Sequence, residues 1–149
     1  MFNKEITKAT GKVHVVLRDE NQNIKEDFLV DNLVVNSGLD FIAERMKDAV
    51  TGVMSHMEVG TSATAPDATD TTLGAAVAGS RTALASTTVT GDEVAYVCTF
   101  VAGDGTGALV EAGIFNVDTA GDMLCRTVFS VINKGALDSM TITWTITIS

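Results

Sequence analysis

The side chains best suited to catalysis or metal binding in this chain are two histidines and two cysteines, His14, His56, Cys98 and Cys125. His14 faces away from the valines that flank it in an extended run, and His56 precedes another such run. Solvated or hydrogen-bonded structural roles are therefore predicted for both histidines. Both cysteines lie inside strand-like runs and are predicted to be buried, reduced thiols. The sequence offers no clustered cysteines and histidines with the spacing of a zinc site.

Other catalytic and metal-binding patterns match the sequence equally poorly. The chain has no Gly-x-Ser-x-Gly elbow, although a Ser-His-Asp or Cys-His group assembled in space stays open at this level. Residues 104–107 and 118–122 carry oxygen ligands suited to calcium but lack the acidic density of a calcium-binding loop. We therefore predict no catalytic, cofactor-binding or metal-ligating residue, and we predict that the chain is not an enzyme.

Glu111 and Arg126 are charged residues that interrupt otherwise apolar strands. If these strands pair through a turn at residues 118–121, the two side chains come roughly opposite each other, where an ion pair contributes about 0.2–1 kcal/mol. We interpret them as a structural pair, with Arg81 as an alternative partner for Glu111. A catalytic carboxylate tuned by an arginine is less favoured, because neither a second acid nor a nucleophile lies nearby in the sequence.

Length and composition indicate one all-β domain. A chain of 149 residues can bury a sizeable core without disulfides. Only 5% of the residues are aromatic and there is a single proline, whereas Thr, Ala, Gly and Val are abundant. This composition is typical of a β domain with many tight turns.

The net charge of −9 is distributed unevenly. Residues 1–47 carry seven Lys/Arg against eight Asp/Glu, and residues 48–149 carry three against eleven. The acidic part disfavours binding to nucleic acid and to anionic membranes. No apolar run reaches about 20 residues and the N-terminus lacks an apolar signal-peptide core, so a soluble protein made in a cytoplasm is predicted.

The pattern of apolar residues predicts an antiparallel β-sandwich or jelly-roll of about eight or nine strands with one short helix. Residues 1–10 are predicted to form an extended N-terminal arm, and residues 11–149 a single sandwich domain. The segments with strand character are 12–18, 24–30, 57–59, 81–89, 93–101, 108–117, 122–132 and 140–149. In the last of these, apolar residues that include Trp144 alternate with threonines, which predicts a half-buried strand inside a sheet.

Two segments break the series of strands. Ser37 as a cap, with Asp40 three residues later, predicts a helix over residues 37–51 that covers one open end of the sandwich. Residues 60–80 are mostly small and polar and predict a long surface loop, in which Leu73 is the one large apolar anchor. Loops of this length are typically functional or mobile.

A series of segments between residues 30 and 149 occurs in a fairly specific order. The segments are 32–39, 57–61, a Thr/Ala-rich loop with Leu73 and Arg81, 111–116, 121–129, Lys134 and 137–144. In this order they resemble a widespread group of small virion proteins of tailed bacteriophages, which includes head-decoration or cement proteins.

This resemblance implies a non-enzymatic protein on the outer capsid surface of a virion, made in the cytoplasm of the host bacterium. Its partner would be the major capsid protein, whose neighbouring subunits it would bridge against internal DNA pressure. Exposed Thr/Val-rich edges are consistent with a homo-oligomer, either a dimer or a trimer. The arm, the edge strands and the 60–80 loop are the expected contacts, repeated by icosahedral symmetry.

The alternative function from another class is a receptor- or glycan-binding module of a tail fibre or baseplate. Such a site usually carries exposed aromatic side chains for stacking, and the few aromatic residues here lie mostly on strand faces predicted to be buried. An enzyme is the third alternative.

Overall fold

The computed structural model describes residues 7–47 and 52–149, and within them the chain forms ten strands and one helix. The strands are β1 (Ala9–Arg18), β2 (Ile24–Asp31), β3 (Leu33–Val34), β4 (His56–Gly60), β5 (Thr82–Ala83), β6 (Ser86–Thr90), β7 (Glu93–Phe100), β8 (Gly107–Phe115), β9 (Met123–Lys134) and β10 (Ser139–Ile148). The helix α1 spans Asn36–Glu44. The described strands exceed the predicted eight or nine because β3 and β5 have only two residues each.

The strands form two five-stranded sheets, and every pairing between named strands is antiparallel. Sheet A has the order β2-β1-β10-β7-β6, and sheet B has the order β3-β9-β8-β4-β5. The predicted all-β sandwich with one short helix is confirmed.

Strand β10, close to the end of the chain, lies at the centre of sheet A. It pairs with β1 on one side, where Trp144 is opposite Val13, and with β7 on the other, where Trp144 is opposite Tyr96. Its apolar residues alternate with half-exposed threonines, and Trp144 is fully buried. The period-2 pattern of the sequence therefore becomes an inner apolar face and an outer polar face of one strand.

The predicted helix 37–51 is wrong in both length and cap. Helix α1 ends at Glu44, with Arg45 as the C-terminal cap, and residues 48–51 lie outside the described residues. The position before the helix is held by Val35 without a side-chain cap, because the Ser37 hydroxyl donates instead to the carbonyl of Met123. Helical spacing continues to Met46 in the sequence, but Met46 is 90% exposed, and a short helix without packing is not stable.

Helix α1 packs between the two sheets at one side of the sandwich. Its buried residues are Gly38 and Phe41, whereas Leu39 is 47% exposed. Gly38 lies directly on the backbone of Leu124 in β9, where a Cβ would collide with the Leu124 carbonyl. This glycine sets how closely the helix approaches sheet B.

Two further boundaries differ from the predictions. Ala9 and Thr10, assigned to the N-terminal arm, belong to β1 and pair with Ile148 and Thr147, while residues 1–6 lie outside the described residues. The single strand predicted over 81–89 is two strands, because β5 pairs with β4 in sheet B and β6 pairs with β7 in sheet A. The chain crosses from one sheet to the other between them.

Trp144→Ala is expected to lower the free energy of unfolding by about 3–5 kcal/mol, because a large buried ring at the centre of sheet A is replaced by a cavity. Urea unfolding followed by circular dichroism measures the loss. Thr143→Ala, on the outer face of the same strand, is the matched control and should cost less than about 1 kcal/mol. Equal losses in the two variants would contradict the central place of Trp144 in the core.

Candidate functional site

The most densely connected polar group in the described structure is the carboxylate of Glu111 in β8. Oε1 accepts hydrogen bonds from the backbone N–H of Gly74 (2.8 Å) and from Nε of Arg126 (3.0 Å). Oε2 accepts from the backbone N–H groups of Ser62 (2.9 Å) and Ala75 (2.8 Å). Glu111 is fully buried, so these four donors replace the water that a carboxylate loses on burial.

Arg126 in β9 connects this carboxylate to a second acid. Its Nη1 donates to Oδ2 of Asp70 at 3.1 Å, and the same oxygen accepts the backbone N–H of Asp67 at 2.9 Å. The Arg126 side chain is 2% exposed. Its Nη2 has no hydrogen-bond partner among the described residues. The cluster thus holds two carboxylates around one guanidinium, and its net charge is negative.

The predicted ion pair between Glu111 and Arg126 is confirmed, and the two residues, expected to be roughly opposite each other, are diagonal neighbours in the ladder. Glu111 is opposite Val128, and Arg126 is opposite Gly113, so the pair is diagonal. A register shift between Ile114 and Phe115 lies between the turn and this pair and changes which residues of the two strands are opposite each other. Arg81, the alternative partner, lies elsewhere and pairs with Glu58.

Residues 61–81, which connect β4 to β5 and are here called the connecting loop, cover the outer face of sheet B. Ala112 and Ile114 face the main core between the sheets, so the alternating residues Glu111 and Phe115 face outward. Leu73 of the connecting loop packs there, in a second apolar cluster with Val35, Phe115 and Met123. The predicted role of Leu73 as the anchor of this loop is confirmed.

The backbone of the connecting loop is held along its length. Thr61 donates to the Ala75 carbonyl and Val77 to the Val59 carbonyl, and the Ser80 hydroxyl exchanges two hydrogen bonds with the backbone of Val59. Gly60 begins this arrangement. A Cβ there would lie 2.5 Å from both the Ala75 carbonyl oxygen and Oε2 of Glu111, so only glycine fits.

Arg81 fixes the far end of the connecting loop. Its guanidinium pairs with Glu58 in β4 (Nε to Oε2, 3.2 Å) and its Nη1 donates to the carbonyls of Val117 (2.9 Å) and Ala120 (3.2 Å). The same guanidinium lies over the ring of Phe115, 3.6 Å from its centroid. Arg81 therefore joins sheet B to the turn between β8 and β9.

A polar hollow of about 440 Å³ lies between the connecting loop and the ion-pair cluster. Besides Asp70, Arg126 and residues 73–74, its walls are hydroxyl-bearing side chains: Ser62, Thr64, Thr69, Thr71 and Thr72. Because the adjacent cluster has a negative net charge, the hollow is unsuited to an anion and better suited to a neutral, hydroxyl-rich group.

In the described part of the chain, neither histidine lies in a group that also contains both a nucleophile and an acid. Nε2 of His14 lies 2.6 Å from Oδ1 of Asp27 on the exposed surface of the β1–β2 hairpin. Nδ1 of His56 lies 2.7 Å from the hydroxyl of the neighbouring Ser55. The two histidines are on different sheets, and each has the hydrogen-bonded role that the sequence predicted.

Both cysteines are buried and free, as the sequence predicted. Burial raises the pKa of the Cys98 thiol to about 12 and raises the pKa of the Cys125 thiol well above its usual value. Burial acts in this direction because it disfavours the charged thiolate. Neither cysteine is therefore poised to form the thiolate, which is the nucleophilic form of the side chain.

Lys134, near the end of β9, is a buried cation that sequence reasoning did not assign. Its Nζ donates to the carbonyl of Val101 at 3.0 Å, and burial lowers its pKa. It ties the end of β9 to the end of β7.

Within residues 7–47 and 52–149, no group of three or more His, Cys, Asp or Glu side chains is placed to hold a metal ion. The one helix of this part of the chain is too short to cross a membrane. No family model, no curated protein and no solved structure matches the chain.

Sequence reasoning missed Asp70 and the three backbone donors to Glu111. One signal for them was present. Residues 109–115 and 123–129 read as nearly continuous apolar runs, and most of these residues are buried on both faces of their strands. Continuous apolar runs indicate that both faces of a strand are covered. They therefore predict that another segment of the chain packs over the outer face of sheet B.

Glu111→Gln is expected to lower the free energy of unfolding by about 1–3 kcal/mol, because it leaves the buried Arg126 with Asp70 as its one carboxylate partner and turns an amide group towards backbone donors. Urea unfolding measures the stability, and hydrogen exchange reports the amides of Ser62, Gly74 and Ala75, which should lose protection. Asp31→Asn removes an exposed ion pair with Lys12 and is the control, with no measurable change expected. Full amide protection in Glu111→Gln would contradict the role of this carboxylate.

The thiols of the native protein should resist a disulfide reagent at pH 8. With a pKa of about 12, Cys98 is thiolate in only about one molecule in ten thousand at this pH, compared with roughly a quarter for a free thiol. Both thiols should react promptly once urea unfolds the chain, which serves as the internal control. Rapid titration of a thiol in the folded protein would show that the cysteine is not buried.

Proposed function

We propose that this chain is a non-enzymatic structural protein of a tailed-bacteriophage virion that decorates the outer capsid surface and bridges major capsid subunits. The observation that carries the proposal is which groups the strongest polar cluster binds. Glu111 and Arg126, the groups closest to an active-site arrangement, direct all their described hydrogen bonds to the connecting loop and to each other.

The connecting loop supplies a surface suited to a protein partner. Fourteen of its 21 residues are exposed, and apart from Asp67 these are threonines, alanines and glycines, while its backbone is fixed by Glu111, by Leu73 and by Val59. A surface that is ordered before binding loses little conformational entropy on association. Many symmetry-related copies of such a contact give firm attachment from modest individual affinities.

The residues that carry the resemblance to virion proteins support the same proposal. Several of them, distant in the sequence, come together under and around the connecting loop: Gly60, Leu73, Arg81, Glu111 and Arg126. Their shared task is to position this loop.

A second candidate function is a receptor- or glycan-binding module of a tail fibre or baseplate. The observation that favours it is the hydroxyl-lined hollow beside Asp70, whose polar walls and negative cluster suit a neutral sugar. Against it, Trp144 and Phe115 are buried, so neither offers an exposed ring for sugar stacking.

Cryo-electron microscopy of intact particles from the source, with this chain fitted to the density, tests the proposal. Density on the head at symmetry-related positions that span capsid subunits is the expected result, with the connecting loop at the contact. Density only in the tail, together with binding of the purified chain on a glycan array, would replace the capsid proposal with the second candidate. Capsids stripped of the chain and recombined with Glu111→Gln should recover less of it than with Asp31→Asn.

A further inference from the structure

The two outer strands of sheet A differ sharply in charge. Strand β2 carries Lys25, Glu26, Asp27 and Asp31, and charged side chains on an edge discourage pairing with another strand. Strand β6, Ser-Thr-Thr-Val-Thr, has no charged residue, and all five of its residues are exposed. Within residues 7–47 and 52–149 it is hydrogen-bonded to β7 on one side only, so its other side presents backbone N–H and C=O groups without a partner strand in this part of the chain.

The inner face of β6 borders a mainly apolar groove. Thr87 and Val89 line this groove of about 390 Å³ together with Val53, Met54, Val94 and Tyr96 and with Phe41 and Arg45 at the end of helix α1. Val89 is 69% exposed and Val53 is 65% exposed. An uncharged edge strand beside an apolar groove is the combination that a further β-strand would complete.

We propose that β6 pairs with β6 of a second copy of this chain, antiparallel about a two-fold axis through Thr88, to give a continuous ten-stranded sheet. Full overlap of the two strands sets the register. Thr88 then lies opposite Thr88 of the second copy, Thr87 opposite Val89, and Ser86 opposite Thr90.

Charge favours a second copy at this place and at no other long edge of sheet A. Two copies of a chain with a net charge of −9 repel each other, so they can approach only through an uncharged surface. Because the paired strands run in opposite directions, the acidic residues Asp92 and Glu93 of the two copies lie at opposite ends of the contact. No like charges face each other along the five-residue overlap.

The side chains of the two β6 strands also complement each other in this register. Thr–Thr, Ser–Thr and Thr–Val cross-strand pairs stabilise an antiparallel ladder, and these are the pairs that the register supplies. The two Val89 side chains become diagonal neighbours, about 7–8 Å apart, and partly cover each other beside the two grooves. The contact is isologous and closes after two copies, so it gives a dimer and not a fibre. It does not depend on where the chain resides in a particle.

The test uses opposite charges at the two-fold axis. Thr88 lies on the outer face of the edge strand, so Thr88→Lys and Thr88→Asp should both fold, which thermal unfolding verifies. Sedimentation equilibrium of the wild-type chain, from about 1 µM to about 500 µM, should show a monomer–dimer equilibrium, since a short edge contact gives modest affinity. Each variant alone should dimerise at least about fivefold more weakly, because like charges then face each other. An equimolar mixture of the two variants should recover dimer as a heterodimer.

Thr90→Lys is the matched control on the same face of the same strand. In the proposed register it lies opposite Ser86, and the two new lysines are about 13 Å apart along the strands, so dimerisation should stay close to that of the wild type. A wild-type chain that remains monomeric over the whole range overturns the proposal. So does a Thr88→Lys variant that dimerises as the wild type does, a mixture that fails to recover dimer, or equal weakening by Thr90→Lys.

Discussion

A carboxylate that is removed completely from water must be given hydrogen-bond donors, and this requirement at Glu111 organises the outer side of sheet B. The donors come from β9 and from three backbone positions of the connecting loop. An unpaired buried charge costs several kcal/mol. Displacing the connecting loop from sheet B would therefore cause a large loss of stability. Leu73 and Arg81 reinforce the same placement through apolar and cation–π contacts.

The result is a sandwich with a third, irregular layer. Sheet A has a polar, threonine-rich outer face, whereas the outer face of sheet B is buried under the connecting loop. The layer converts a segment of small polar residues, which has little tendency to order by itself, into a defined surface. The layer is stabilised by the ion pairs of Arg126 and Arg81, by the hydrogen bonds to Glu111 and by a small apolar cluster, and its exposed side chains can contact another molecule. The capsid-decoration proposal rests on this combination of a fixed loop backbone and exposed loop side chains.

The distribution of charge shapes the remaining surfaces. The exposed face of the β1–β2 hairpin carries a hydrogen bond between His14 and Asp27 and an ion pair between Lys12 and Asp31, and its edge is charged. Strand β6, at the opposite edge of sheet A, has no charged residue. There the apolar inner face of the sheet extends past helix α1 to Val89. The same sheet thus has one edge protected against pairing and one edge open to it.

Local patterns in the sequence determined most of the strands, the burial of both cysteines and the existence of the Glu111–Arg126 pair. Alternation and turn residues act between near neighbours, so they can be read without knowing the fold. The tertiary structure alone decided the diagonal register of that pair, the early end of α1 at Glu44, and the division of residues 81–89 between two sheets. It also decided the choice of Asp70, 56 residues away from Arg126, as the second acid. These features depend on strand shifts and on long-range packing, which fix free energies that no local stretch of residues contains.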